Sequence, residues 1–427
     1  MASLKIKNGK TIGSVVKDGL CTGCGTCVGL CPEEAVEMTI DYSKGIYVPR
    51  LEEERCNQCG VCLAVCPGHT VDFKQLNLDI FGQEPKDILV GNYSNCYTGY
   101  ATDPKIRYDS ASGGLVTTLL IFALEEGMID GALVTRMSKE NPLEPEPFIA
   151  RTREEIISAA KSKYCPVPAN TILSEIIKEE GRFAVVGLPC HIQGVRKAEM
   201  VNKELKEKIV LHLGLFCNHT PSFLATEYIL RNMRVKKQEV KKLDYRGEGW
   251  PGSLKIGLEN RELPISLSDY WESGFGSFFY PRRCLSCIDA LSELADISFG
   301  DAWLPEFRDD KLGQSIVISR TGVGQQILER AMRQGAIALA EMDPTEIKQS
   351  QGILLRRRKA GANAHMSFLR LFRKKTPVYT AELLRPGIKD HLGSLRFYLR
   401  THISTKRNLW GLMRMYTLSK LHMIAPY

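Results

Sequence analysis

The chain has 427 residues, 44% apolar and 25% charged, with a net charge of +8 and 14 cysteines. That composition excludes a disordered polymer and a membrane-embedded one, and the length implies about two to four domains at ~150 residues each. The charge is uneven: from residue 353 onward 16 Lys or Arg face only Glu382 and Asp390, a local net of +14, which leaves −6 on everything before it.

Met1 to Lys10 is polar and carries no apolar signal-peptide core. The longest nearly apolar run, Leu115 to Leu124, is broken by Thr117 and Thr118. It falls far short of the ~20 residues a spanning helix needs. Abundant thiols without a secretory signal predict a reducing cytoplasm.

Residues 1–72 read as one unit built on two copies of a cysteine run. Cys21, Cys24 and Cys27 precede Cys31-Pro32; Cys56, Cys59 and Cys62 precede Cys66-Pro67. This spacing holds paired [4Fe–4S] clusters, with the fourth cysteine of each run crossing to the other cluster. One cluster is expected on Cys21, Cys24, Cys27 and Cys66, and the other on Cys56, Cys59, Cys62 and Cys31. Zinc sites use pairs of ligands rather than this repeated order. Residues 35–40 and 45–48 alternate around a turn, as a hairpin does. Residues 73–105, with Pro, Gly, Asn and a lone Cys96, read as a linker.

From 106 to about 350 strands and helices alternate, which predicts an α/β body with a largely parallel sheet. Helices are expected over 112–127, 153–161 (capped by Thr152), 170–180 and 324–335. Strands are expected over 131–135, 183–187, 208–215, 295–299 and 315–319. Cys190 follows one strand and Cys217 ends another, while Cys284 and Cys287 form a C-x-x-C. Functional groups gather beyond the carboxyl ends of such strands. A third [4Fe–4S] cluster on Cys190, Cys217, Cys284 and Cys287 is the reading we adopt; a zinc site, a redox disulfide and unrelated buried cysteines stay open on spacing alone.

Ser110, Ser112, Gly113 and Gly114 stand just before a helix, where backbone N–H groups approach an anion closely; a plain helix start is the alternative. Lys161, Lys163 and Tyr164 lie in a loop that suits a phosphate or an acidic substrate tail, or simply water. His191 and His219 read as structural rather than proton-transferring. No G-x-G-x-x-G follows a strand, so an ordinary nicotinamide site is not expected. The tail, 351–427, carries basic clusters at 356–359 and 373–375. From Leu395 to Met423 it mixes apolar and basic residues, like an amphipathic helix on a partner or a membrane surface. No nucleic-acid recognition motif accompanies the charge.

Seven motifs occur in order: Ser110-Ala111-Ser112-Gly113-Gly114, Lys163-Tyr164-Cys165-Pro166, Gly187-Leu188-Pro189-Cys190-His191, Leu215-Phe216-Cys217, Asp244-Tyr245-Arg246-Gly247, Arg283-Cys284-Leu285-Ser286-Cys287 and Phe299-Gly300-Asp301. Over residues 12–340 the chain thereby resembles the family of coenzyme F420 hydrogenase/dehydrogenase beta subunits. The resemblance implies FAD at the Ser-Gly-Gly loop, a cluster in the body and an N-terminal two-cluster module. The expected fold is an α+β ferredoxin-like module, an α/β flavin-binding body and a basic helical extension. The expected function is an iron–sulfur flavoprotein oxidoreductase passing electrons between a hydride carrier, reduced coenzyme F420 first, and one-electron acceptors such as a ferredoxin or a larger complex. The alternatives are an electron-wiring component docked on a complex or on the inner membrane face, and a ferredoxin-linked reductase of an organic substrate.

Overall fold

The computed structural model describes residues 11–417. The polar start, Met1 to Lys10, and the end of the amphipathic stretch, 418–423, lie outside the described residues. Among the described residues no helix is long and apolar enough to cross a membrane.

The N-terminal unit is small and internally repeated. Gly25 and Gly60 both take φ +85°, and each opens a four-residue helix, Thr26–Gly29 and Val61–Ala64, that carries the third cysteine of its run. Only glycine holds that left-handed turn without strain. The expected hairpin forms as Val36–Asp41 paired antiparallel with Ile46–Leu51. Ile12, Val15, Leu20 and Val36 fill the unit's core beside Cys27 and Cys66.

The body is organised on one eight-stranded sheet. Its order is Ile337–Glu341, Asn95–Ala101, Ser315–Ser319, Ile297–Asp301, Ile209–Leu215, Phe183–Gly187, Gly131–Met137 and Pro145–Ala150. Ile297–Asp301, Ile209–Leu215, Phe183–Gly187 and Gly131–Met137 run parallel. The flanking strands pair antiparallel. The sheet is therefore mixed rather than largely parallel. A parallel neighbour needs a long crossover, and the stretch between Met137 and Pro145 has no helix to supply one. Apolar clusters cover both faces, one centred on helix Leu115–Glu125 and the other on helices Leu173–Lys178 and Pro189–Val201.

Residues 73–105 are not a linker. Phe73–Phe81 is a helix capped by Asp72 and stopped by Gly82, and Asn95–Ala101 is an interior strand. Gly99 misleads because its role is close packing rather than turning: a Cβ there would lie 2.3 Å from the Ala338 carbonyl. Cys96 is a buried thiol on that strand. The helix expected from 112 begins only at Leu115, since Gly114 takes φ +80°.

The tail is helical, as expected, but its first basic cluster is not a free surface. Helix Pro344–Arg356 passes through a widened turn, Arg357–Gly361, into helix Ala362–Leu371. That turn buries Arg358 and Lys359 to 3% exposure each. Val378–Tyr379 then adds in parallel to Thr70–Val71 of the N-terminal unit. Helix Ile388–Ser404 follows, and Trp410 and Met413 close a core cluster of the body.

Candidate functional site

The fold packs the N-terminal thiols of the two runs close to one another. Burial raises the Cys21 thiol, and Cys66 and Cys24 raise it further. Cys27 is raised by burial and then by Cys24, Cys66, Cys21 and Cys62. Cys62 is raised by burial and by Cys59, Cys31 and Cys56. Cys31, Cys56, Cys59 and Cys62 border a cavity of about 20 Å³. For Cys21, Cys27, Cys62 and Cys66 burial is the larger cause and neighbouring thiolates add to it; a bound cationic cluster core would remove that penalty.

The body cysteines meet in a second, larger cavity. Strand Phe183–Gly187 leads straight into helix Pro189–Val201, whose first turn holds Cys190. Strand Ile209–Leu215 ends two residues before Cys217, whose N–H donates to the Ala290 carbonyl at 2.8 Å. Cys284 and Cys287 sit on the tight turn Arg282–Ser286 and its exit. All four border one cavity of about 60 Å³ together with Cys21 and Tyr47 of the N-terminal unit. Burial pushes the Cys217 thiol up to about 12. Cys190 is raised by burial, then by Cys24 and the other three body cysteines. Among the described residues no three His, Cys, Asp or Glu side chains close on a single point; these thiols instead surround a space.

The two units are locked at this cavity. Arg283 donates from Nε to the Leu20 carbonyl at 3.1 Å, and from Nη2 to the Pro67 carbonyl at 3.2 Å and Tyr379 Oη at 2.6 Å. Asn170 donates to Thr26 Oγ1 at 2.8 Å and to the His191 carbonyl at 2.9 Å. Lys197 Nζ reaches the Cys66 carbonyl at 3.0 Å. His191 accepts from the Leu188 N–H on Nδ1 and meets the Val167 carbonyl through Nε2. Burial holds His191 down to about 4, so it is neutral and structural.

One connecting loop, residues 244–252, touches both regions: the Gly249 N–H donates to the Tyr108 carbonyl beside the Ser-Gly-Gly loop, and Gly247 packs on the Lys161 side chain. Ser110 Oγ donates to the Ile106 carbonyl at 2.7 Å, and Ser112 Oγ to that of Gln314 at 2.9 Å. Gly113 admits no side chain, since its Cβ would lie 2.5 Å from the Gly99 carbonyl. Neither lysine is a free cation. Lys161 pairs with Asp244 at 3.0 Å. Lys163 Nζ donates to the carbonyls of Ala159, Ala160 and Lys161 at the end of helix Arg153–Ser158, and burial lowers it to about 7. Of the two expected readings, a phosphate or acidic-tail site and a solvated pair, neither describes these contacts: Lys161 ties its loop to Asp244 and Lys163 ties it to the preceding helix. Tyr164 packs edge-on against Trp271 at 5.1 Å.

The groups that organise this region stand in the sequence motifs, but contiguous residues assign them no role. Arg246 makes a two-pronged ion pair with Asp301, at 2.8 and 2.7 Å, and Trp250 Nε1 donates to the same carboxylate at 2.8 Å. Asp301 ends strand Ile297–Asp301, on the carboxyl edge of the parallel strands that also deliver Cys190 and Cys217. The two regions adjoin, because Phe216 packs over Gly300, where a Cβ would lie 2.0 Å from the ring. An aromatic row joins them as well. Tyr164 meets Trp271, Trp271 meets His219 at 5.8 Å, and His219 stacks on Tyr280 at 3.5 Å. Among the described residues His219 has no hydrogen-bond partner for either ring nitrogen, and burial lowers its pKa well below the usual value.

Known proteins resemble this chain. Residues 20–70 match the 4Fe-4S dicluster domain. Residues 96–174 and 180–345 match the N-terminal and C-terminal parts of the coenzyme F420 hydrogenase/dehydrogenase beta subunit. The coenzyme F420 hydrogenase beta subunit, from Methanosarcina barkeri, is 30% identical over 261 residues, 58% of this chain and 82% of that protein. A component of the F420H2 dehydrogenase of Methanosarcina mazei is 26% identical over 359 residues, 83% of this chain and 93% of that one. A chain of the F420-reducing [NiFe] hydrogenase complex from Methanosarcina barkeri superposes with a TM-score of 0.54 at 26% identity, covering 67% of this chain and 95% of its own. The paired cysteine runs, the loops around Asp301 and these matched stretches together place the chain in the family of coenzyme F420 hydrogenase/dehydrogenase beta subunits.

Proposed function

We propose that the chain is an iron–sulfur flavoprotein oxidoreductase that moves electrons between a hydride carrier of the coenzyme F420 type and one-electron acceptors. The observation that carries this reading is the shared cavity: four body cysteines, two just beyond strand ends and two on the Arg282–Ser286 turn and its exit, border it together with Cys21 of the two-cluster unit. Three thiol groups thus stand in sequence, and Cys24 is the first charge felt by Cys190. Bound FAD supplies the exchange between a hydride pair and single electrons, and the cubanes supply one-electron storage.

The chain's own residues do the rest. Cys190, Cys217, Cys284 and Cys287 hold the body cluster. Ser110 and Ser112 pin the Gly113-Gly114 turn, whose Gly113 N–H and carbonyl are taken up by Ser315 Oγ and the Ala101 N–H, so the loop would hold the flavin by its fixed shape. Lys161, Lys163 and Tyr164 shape the second region, and the Arg246–Asp301 pair fixes the loop that touches both. Burial of the thiols keeps water from the clusters. Relatives named for coenzyme F420 chemistry favour a deazaflavin as carrier.

Anaerobic protein should contain about 12 iron atoms and one FAD, and reduced deazaflavin should bleach its flavin spectrum. An unchanged spectrum rejects the carrier, and a reductase of an organic substrate then becomes the better reading. A chain with about eight irons rejects the body cluster.

A docking role has its own support. Helix Ile388–Ser404 exposes Ile388, Leu392, Leu395 and Leu399 at 80%, 63%, 41% and 52%. Their spacing sets them on one face, beside exposed Lys389 and Arg396. We read this face as resting on an anionic membrane surface. The full chain should sediment with anionic vesicles and not neutral ones, and the double variant Leu392→Glu/Leu399→Glu should stay in solution. Equal sedimentation of both forms rejects it.

A further inference from the structure

The basic run Arg356-Arg357-Arg358-Lys359 lies beyond the matched family stretches, which end at residue 345. The run does not behave as one patch. Arg356 pairs with Asp390 at 2.8 Å. Arg357 donates to Asn218 Oδ1 at 2.7 Å and Tyr280 Oη at 3.0 Å. Lys359 is neutralised by buried Glu293 at 2.6 Å. Arg358 differs from all three. It borders the four-cysteine cavity, and it donates only to main-chain carbonyls of the cysteine loops: Cys284, Cys287 (3.5 Å), Cys217 (3.3 Å) and Asn218. Among the described residues no carboxylate lies within ion-pair reach of it, and its Nε–H, fully buried, has no partner. The widened turn Arg357–Gly361 makes this possible, because it buries Arg358, Lys359 and Ala360 in succession. Such turns cluster at functional sites.

A buried guanidinium with no counter-charge is expensive. The cost is offset when the cavity holds an anion, and a cubane on four thiolates is one. Its reduction adds one electron, breaks no bond and moves no proton, so the cavity gains a full negative charge. We propose that Arg358, supplied by the C-terminal extension, sets the reduction potential of the body cluster by stabilising its reduced form. Arg283 also borders the cavity, but it bonds the carbonyls of Leu20 and Pro67 beside Cys21 and Cys66 and so serves two groups at once. Arg358 faces the body cysteines alone. Net charge and hydrogen bonds to sulfur are the terms that tune such clusters.

The proposal rests on the body-cluster reading, so the test separates the two. Full-length wild type, Arg358→Lys and Arg358→Gln are purified anaerobically and assayed for iron and sulfide. They are then titrated with dithionite while electron paramagnetic resonance follows each cluster. About eight irons in the wild type removes the body cluster itself, and the Arg358 role with it. With about 12 irons, Arg358→Gln should reduce one cluster about tenfold less readily at a fixed potential, a fall of about 59 mV for a one-electron couple. The other two clusters should stay in place, and Arg358→Lys should lie within about twofold of wild type. Three unchanged midpoints in a fully loaded Arg358→Gln protein overturn the proposal. If Arg358→Gln loses four irons, retention in Arg358→Lys supports the charge role, and loss in both overturns it in favour of simple packing.

Discussion

Asp301→Asn is the sharpest probe of the connecting loop 244–252. The change keeps shape and removes charge. The Arg246 side chain is 3% exposed and that of Asp301 17%. Breaking a buried pair by removing one partner costs about 3–5 kcal/mol. The partial exposure of Asp301 and the oxygen that asparagine retains place the loss near the lower end, about 3 kcal/mol. That is roughly a 100-fold change in a local opening equilibrium. The loop reports it directly. The Gly249 N–H donates to the Tyr108 carbonyl at 2.9 Å and the Trp250 N–H to that of Lys311 at 2.6 Å. Native-state hydrogen exchange should show these two amides speeding up about 100-fold, with helix Gly322–Arg333 unchanged and flavin retention reduced. The double variant Arg246→Met/Asp301→Leu removes both charges and should recover most of the protection. An increase below about threefold in Asp301→Asn would refute the argument that this pair holds the loop.

Three other perturbations probe separate parts of the fold. Gly194→Ala would set a Cβ 2.2 Å from Thr26 Oγ1 and 2.8 Å from Asn170 Nδ2. It should loosen the N-terminal unit by about 1–3 kcal/mol, read as faster proteolysis within residues 11–72. Gly352→Ala meets nothing within 4 Å in helix Pro344–Arg356, and should raise that helix's protection by about 0.5–1 kcal/mol. Burial, with help from Arg282, holds His365 down to about 4. The unfolded chain therefore binds the proton first, and the stability present above about pH 6.5 drains away as pH falls toward 4. By pH 5 the packing of helix Ala362–Leu371 on helix Ile388–Ser404 should weaken by about 2 kcal/mol. Exchange in that helix should rise accordingly, and His365→Leu should flatten the trend.

How much of the fold is legible in the chain depends on how local the cause is. The cysteine runs, Thr152 as a cap and the strands 183–187 and 315–319 are written in contiguous residues, and they stand where expected. Asn95–Ala101 escapes the pattern because an interior strand, covered on both faces and crowded at Gly99, loses the alternation that marks a half-buried one. Lys161 and Lys163 suggest a ligand because charge in a loop is visible, while the carboxylate and carbonyls that absorb it come from elsewhere. Arg358 is hidden for the same reason. A run of four cations reads as surface, and only the widened turn makes two of them interior, with the distant cysteine loops receiving Arg358.

The strand pair Thr70–Val71 with Val378–Tyr379 has a consequence for biogenesis. Asp72 is anchored to Thr380, 308 residues further along, so a segment made early waits for one made much later before it is latched. At typical synthesis rates that delay is on the order of tens of seconds. Iron delivery to the paired cysteine runs thus has an open interval that ends only once Val378–Tyr379 has been made, and a chain cut short before it would leave Thr70–Val71 without its partner strand.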